Sequence, residues 1–389
     1  METYASILLK NMNPCEMEKI EQGDSQEHAK YKTLLMNHPN IKLTDTLDGL
    51  ENYSFIECAG ETNPTIKASR GIVFAGEKMI CRSFPYTVSY STNQKEEILN
   101  FFSDLDFSQV LFFPSYEGTI VRVFHHGDEE NGKWYISTNR RLDADTCNWG
   151  PDRETFGSKF RKGVPENFLD TLEKGRTYFF LIENNMKSRL VCQVDSPKVY
   201  FVGSIFQGKF SIENVKGFES QALKFDSYKH VIEIASGMTW KSYQGIIAFC
   251  PGFIQVKIQS EEYTRRYNLR NNAPNILSRY LELKDSKYTE EDRQLYREMY
   301  FEHISQFDEY ERYIDIISTN LLGLYNSRYI QHRFVKTEPQ KHYVIKTAFE
   351  EAGFGKDAVD VKNIKSILLR QNSWTLSTMI KEVQRIRQA

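Results

Sequence analysis

The chain has 389 residues, 40% hydrophobic, 13% aromatic and 26% charged, enough for two domains at about 150 residues each. The 50 Lys and Arg against 52 Asp and Glu leave a formal net charge of -2, which excludes both the basic excess of a dedicated nucleic-acid binder and the composition of a disordered chain. Cys15, Cys58, Cys81, Cys147, Cys192 and Cys250 form no CxxC pair and no zinc-spaced cluster, and no signal-length or membrane-length apolar run occurs, so the expectation is a soluble cytoplasmic protein with reduced thiols and no membrane insertion.

In chain order, the polar stretch 21–32 reads as an exposed loop or helix. From about 53 to 259 the pattern is short, β-rich runs at 71–84, 118–126, 133–139, 176–184, 188–194, 198–206, 243–249 and 253–259, separated by Gly, Asn and Asp clusters. Residues 119–126 and 133–139 flank a six-residue connection and predict a hairpin. Helical spacing interrupts the strands at 94–105 and 166–174. After Tyr263 apolar residues recur every three and four positions among charges, predicting helices at 275–284, 289–301, 309–328, 341–352, 356–370 and 376–387. Gly353, Gly355 and Asn372 break that run. The expectation is an α+β domain over 1–260 and an all-α domain over 261–389, with the change of character at 260–272. No internal repeat or low-complexity tract is present.

One ordered series stands out in the β-rich part: Arg70-Gly-Ile-Val-Phe74, Arg82-Ser-Phe-Pro85, Pro114-Ser-Tyr-Glu-Gly-Thr119, Trp134-Tyr-Ile-Ser-Thr138, Tyr178-Phe-Phe-Leu-Ile182, Tyr243-Gln-Gly-Ile-Ile247 and Val256-Lys-Ile-Gln259. Its order, spacing and strand context over residues 50–260 resemble the adenylylation domain of the ATP-dependent RNA ligase family of the phage RNA ligase 1 type, within the covalent nucleotidyltransferases. The version here is most similar to ligase-like proteins of large DNA viruses. The resemblance implies a nucleotidyltransferase fold of antiparallel sheets with flanking helices, with ATP and Mg as cofactors of an active member.

The same resemblance marks what is missing. In the family a lysine opens the motif Lys-x-Asp/Glu-Gly and attacks the α-phosphorus of ATP; Ser115 stands there, followed by Glu117 and Gly118. A hydroxyl needs a base to attack phosphorus, and a seryl adenylate lacks the labile P–N bond that makes lysyl-AMP a donor. A strand glutamate corresponds to Phe180, or to Leu181 one position on. A metal-facing glutamate corresponds to Gln244, and the second lysine of a Lys-x-Lys pair to Gln259, leaving Lys257. Tyr86 takes the place of a lysine that often follows the proline. Cations and anions are lost together, as a retained fold without retained chemistry requires, since removing one sign alone strands a buried charge.

The surviving candidates for nucleotide or phosphate contact are Arg70, Arg82, Glu117, Gly118, Arg122 and Lys257. Arg140, Arg141, Tyr116, Trp134 and Tyr135 lie nearby, with the two hairpin aromatics also fitting ordinary core packing. Arg265, Arg266 and Arg270, with Arg279, Tyr263 and Tyr267, form a second basic run that reads either as a solvated helix face or as an RNA-backbone contact. His125 and His126 point to opposite faces of a strand and match no hydrolase or metal motif. Two readings follow. One is a degenerate ligase-like protein that binds single-stranded RNA or serves as a scaffold among protein partners, in a virus factory or virion. The other is a working RNA ligase whose nucleophile comes from elsewhere, for example Lys133 or Lys159.

Overall fold

The Asp48-Gly49 pair sets the first element: both residues have positive φ, 51° and 77°, as a two-residue hairpin turn requires. Strands β1 (Ile41–Leu47) and β2 (Leu50–Phe55) close on it, with Leu47 opposite Leu50. This hairpin precedes the point where the sequence reading placed its first strand. The computed structural model describes residues 20–56, 63–128, 131–149, 152–213, 215–251, 254–271, 275–285 and 287–388; Cys15, Cys58 and Asn272 lie outside them. The chain divides into two compact units, Met1–Arg265 and Arg266–Ala389.

In the first unit, β3 (Ile72–Ala75) and β4 (Lys78–Cys81) complete an antiparallel sheet in the order β1-β2-β3-β4. Helix α1 (Ser25–Asn37), capped by Asp24, lays Tyr31 and Leu35 on that sheet against Tyr53, Phe55, Ile72 and Phe74, with Ile66 of the short α2 (Pro64–Ala68). The second sheet starts with β5 (Val88–Ser91) and β6 (Leu111–Ser115), either side of α3 (Lys95–Phe102). The third is β7 (Gly118–His126), β8 (Lys133–Ser137), β9 (Thr177–Glu183), β10 (Val199–Phe206) and β11 (Lys209–Ser211), ordered β11-β10-β9-β7-β8 and antiparallel throughout. Helix α4 (Phe156–Gly163) packs Phe156 and Phe160 on its outer face with Val121, Val123 and Phe180. After α5 (Tyr228–Gly237), β12 (Gly245–Cys250) and β13 (Ile254–Gln259) return to the second sheet, ordered β5-β13-β12-β6.

Alternation on β12 and β13 explains the layering. Ile246, Ala248, Val256 and Ile258 bury against Phe101 and Phe102 of α3 and Val231 and Ile232 of α5. Ile247 and Phe249 turn the other way, toward Phe84, Phe179 and Ile120. The second and third sheets therefore meet through a shared apolar seam.

Two expected elements are absent. Residues 188–194 form no strand, because their amides bind a side chain instead of a neighbouring strand, as described below. The segment 166–174 supplies only the 3₁₀ turn Phe168–Thr171, its buried Phe168 and Leu172 joining the α4 core.

The second unit is helical, as the 3–4 spacing predicted. Helix α6 (Glu261–Arg270) runs across the division between the units, and α7 (Ile276–Glu282), α8 (Glu290–Met299), α9 (Ile304–Tyr325), α10 (Pro339–Glu351), α11 (Val361–Leu369) and α12 (Ser373–Gln388) follow. Thr289 and Asp360 open α8 and α11 with capping boxes. Ile314, Ile317 and Leu321 of α9 form one core with Val344, Ile345, Ile364, Leu368, Leu376 and Ile380.

Candidate functional site

Strand alternation decides which motif residues share a face. On β13, Gln255, Lys257 and Gln259 lie on the side opposite Val256 and Ile258. Register places Lys257 beside Ile247, and Ile247 beside Phe113, while Ser115 pairs with Gly245. Across the seam, β9 contributes Leu181. These side chains border a cleft of about 130 Å³ lined by Ser115, Gly118, Leu181, Ile247, Gln255 and Lys257, with Tyr116 and Tyr200 at one side. The Tyr116 and Tyr200 rings are stacked at 4.0 Å, and the Tyr116 hydroxyl donates to Gln221. At Gly118 a Cβ would lie 2.3 Å from the Ile182 carbonyl oxygen, so the motif glycine is required by the closeness of β7 and β9 alone.

Ser115 is 2% exposed and its hydroxyl donates to Gln244 Oε1 at 3.3 Å. The position that the resemblance assigns to the nucleophile thus holds a buried neutral pair, Ser115 and Gln244. Phe180 requires a correction: it points away from the cleft into the aromatic core of Phe160, Phe168, Phe201 and Phe218. Leu181, the alternative one position along, is the residue that faces the cleft. Gln259 continues the Lys257 face at the end of β13, partly buried.

Glu117 is also corrected. Its carboxylate is 2% exposed and accepts from the amides of Leu190 (2.5 Å), Val191 (2.9 Å) and Cys192 (3.3 Å) and from the Tyr263 hydroxyl (3.2 Å). Oε1 takes the Leu190 amide and Oε2 the other three donors, so the carboxylate holds the 188–194 segment and the start of α6. This is why 188–194 reads as a strand in sequence yet has no strand partner.

Two arginines expected to meet phosphate are structural. Arg122 is fully buried and donates to the Gly71 carbonyl, to the Thr138 carbonyl at 2.7 Å and to Asn52 Oδ1 at 3.4 Å. The Arg70-Gly71 motif is explained by this contact: Gly71 has φ of 60°, and a Cβ there would lie 2.8 Å from the Arg122 guanidinium. Arg82 is 2% exposed and pairs with Glu21 at 2.7 Å. Arg70 lies over the Tyr86 ring at 4.2 Å, so Tyr86 supports a cation where the family often carries one. Tyr135 is buried and stacks on Phe124, and the half-buried Trp134 packs against the α4 core from its edge.

The basic run at the unit boundary does not form an exposed track. Arg266 and Arg270 are 4% and 5% exposed; Arg266 pairs with Glu298 at 3.2 Å and Arg270 donates to the Asn271 carbonyl at 3.2 Å. Arg265 alone of the three is exposed. The helix turns successive arginines to different sides, which the linear run conceals. Of the substitute nucleophiles, Lys133 pairs with Asp48 at 2.6 Å and Lys159 with Asp152 at 2.8 Å, and neither borders the cleft.

Lys257 is the amine in the cleft. Burial pushes it down to about 8; Glu117 and Cys192 oppose the shift and Arg70 reinforces it. Sequence reasoning missed Glu183, two positions beyond Leu181 and so on its face of β9. It is 5% exposed, its carboxyl is pushed up by burial, and it accepts from the Lys198 amide at 3.2 Å. Period-two alternation from Leu181 was the signal available.

The cleft lacks the carboxylates that the resemblance implies for holding Mg. Leu181 and Gln244 stand at those positions, and the free space is about 130 Å³. No group of three His, Cys, Asp or Glu placed to hold a metal occurs among the described residues.

Solved structures of ATP-dependent ligases are among those similar to this chain. A putative ATP-dependent DNA ligase from Aquifex aeolicus matches with a TM-score of 0.41 and 12% identity, over 72% of this chain and 75% of that one. An archaeal ATP-dependent RNA ligase (form 1) matches with a TM-score of 0.41 and 11% identity, over 70% and 72%. In sequence the chain is similar to the immediate-early protein ICP-46 homolog of Invertebrate iridescent virus 6, 26% identical over 357 residues covering 80% of this chain and 76% of that protein. The homolog of Invertebrate iridescent virus 3 is 25% identical over 319 residues, 78% and 70%. Immediate-early protein ICP-46 of Frog virus 3 (isolate Goorha) is 22% identical over 275 residues, 62% and 65%. No family model matches the chain. No helix among the described residues is long and apolar enough to cross a membrane.

Proposed function

We propose that the chain is a viral protein with a ligase-like nucleotidyltransferase fold that no longer transfers AMP and acts as an assembly module for protein partners. The observation that carries this reading is the cleft itself: Ser115 hydrogen-bonded to Gln244 in the place of the nucleophile, Leu181 facing them, and too little volume for a nucleotide. The likeness to iridescent-virus proteins supports a viral origin, with action in a virus factory or virion.

Binding of single-stranded RNA is the weaker branch. Arg82, Arg122, Arg266 and Arg270, which were to form the phosphate track, are buried and partnered. The helical unit instead exposes large apolar groups, with Phe334 at 94%, Phe354 at 71% and Trp374 at 68%, the kind of surface that favours protein contact.

Incubation with α-labelled ATP and Mg, followed by a denaturing gel, tests the reading. No labelled band is expected, and none from Ser115→Lys either, because Leu181 and Gln244 supply no charge to hold a metal. An acid-labile adduct on the natural chain would overturn the loss of chemistry. Retention of single-stranded RNA on a filter at low salt would restore the RNA branch.

A further inference from the structure

The cleft contains a charge that adenylyl transfer no longer explains. Lys257 borders it, partly buried, and its ammonium has no hydrogen bond or ion pair with any described residue. Three other groups act on it: Glu117 and Cys192 favour its charged form and Arg70 opposes it. Glu117 acts on it only through space, its carboxylate being turned to the amides of 190–192 and to Tyr263. A cation held beside apolar walls without a partner gains from any anion that can follow it out of water.

The surroundings define that anion. Two residues back on the same strand face, Gln255 accepts from Thr87 through its Oε1 at 3.1 Å, which leaves its amide nitrogen to donate into the cleft. Ile120, Leu181, Ile247 and Phe249 give the remaining walls their apolar part, and the hydroxyls of Ser115 and Tyr116 at the edge already donate to Gln244 and Gln221. The free space is about 130 Å³, and an apolar cavity of about 150 Å³ accommodates benzene, so the body of the ligand is one ring or a short branched chain. One cation and one amide donor match a monoanion with two oxygens. A phosphate dianion would bring a second charge with no partner, and a nucleotide exceeds the space.

We propose that the cleft beside Lys257 receives a small apolar carboxylate, its carboxylate on Lys257 and Gln255 and its ring or short chain against Ile120, Leu181 and Phe249. This rests on the reading that the cleft has ceased to hold ATP.

The test is titration calorimetry of the full chain at pH 7 with sodium benzoate, with benzyl alcohol as the uncharged analogue and inorganic phosphate and AMP as competitors. Benzoate is expected to bind at least about tenfold more tightly than benzyl alcohol, and neither competitor to displace it. Lys257→Met is expected to remove that margin and leave benzyl alcohol unchanged. Affinity for benzoate is expected to fall about tenfold per pH unit once Lys257 deprotonates. Leu181→Trp, which fills the cleft and leaves the charge in place, is expected to abolish uptake of both ring compounds. No saturable benzoate binding at millimolar concentration, benzoate binding undiminished in Lys257→Met, or displacement by phosphate or AMP would each overturn the proposal. The labelled-ATP gel is read separately: an adduct defeats the reading of lost chemistry, whereas absence of benzoate binding with no adduct defeats this inference alone.

Discussion

Two parts of the first unit carry buried charge and treat it oppositely. On β7 and just before it, Arg122 and Glu117 are almost wholly out of water, and each is hydrogen-bonded by several groups: four donors for the carboxylate, three acceptors for the two terminal nitrogens of the guanidinium, whose Nε has none among the described residues. In the cleft Lys257 is partly buried with no such partners. Both regions carry motif residues of the same resemblance, so the motif alone does not separate them. What separates them is the number of hydrogen-bond partners: Glu117 and Arg122 tie distant segments together, whereas the Lys257 ammonium ties none of the described ones.

The largest effect that can break this comparison is Glu117→Ala. It leaves three buried amides and the Tyr263 hydroxyl without their acceptor, and an expected loss of about 3–5 kcal/mol in urea denaturation follows. A change below about 1 kcal/mol would show that water replaces the carboxylate and that the segment 188–194 is not held by it. Arg122→Lys comes next, with an expected loss of about 2–4 kcal/mol, because a single ammonium cannot span the Gly71 and Thr138 carbonyls and Asn52. If the variant were as stable as the natural chain, the buried guanidinium would be replaceable and the contrast with Lys257 would lapse.

Lys257→Met has the opposite sign. The lysine titrates near 8 in the folded chain against about 10.5 when unfolded, so between those values the unfolded chain holds more protons and stability rises with pH. Below pH 8 the burial penalty is at full size, and toward pH 10.5 it disappears. At pH 7 Lys257→Met is expected to be more stable by about 1–2 kcal/mol, discounted because part of the ammonium still reaches water, and the gain is expected to shrink at pH 10. Denaturation curves at the two pH values decide it; a loss of stability at pH 7 would mean that the ammonium is already satisfied. The smallest effect is Ser115→Ala, which removes one 3.3 Å hydrogen bond to Gln244 and is expected to cost about 0.5–1 kcal/mol in the same measurement.

Much of the architecture is legible in the amino-acid sequence. Period-two runs located β7, β8, β9, β10, β12 and β13, and three- and four-residue spacing located α7 to α12, because each pattern follows from the local geometry of the backbone. The misses have specific causes. The β1–β2 hairpin carries its turn signal in Asp48-Gly49, but β1 alternates little, with Lys42 and Leu43 both exposed. Segment 188–194 has strand composition and lies beside a carboxylate that takes its amides. Phe180 and Leu181 could not be told apart by alignment with a motif, yet they sit on opposite faces of one strand.

The order of strands and helices, and the presence of Ser115 rather than a lysine before Tyr116-Glu117-Gly118, can be read from the chain alone, since these depend on residue identity and local periodicity. Which charges find partners is set by the packing of segments far apart in the chain. Arg122 and Lys257 are similar cations on motif strands, but the first finds carbonyls contributed by residues 51 and 16 positions away, and the second meets apolar walls from strands distant in the chain. Whether a charge is spent on structure or left for a ligand is set by partners that the folded chain brings together, and no spacing along the sequence encodes them.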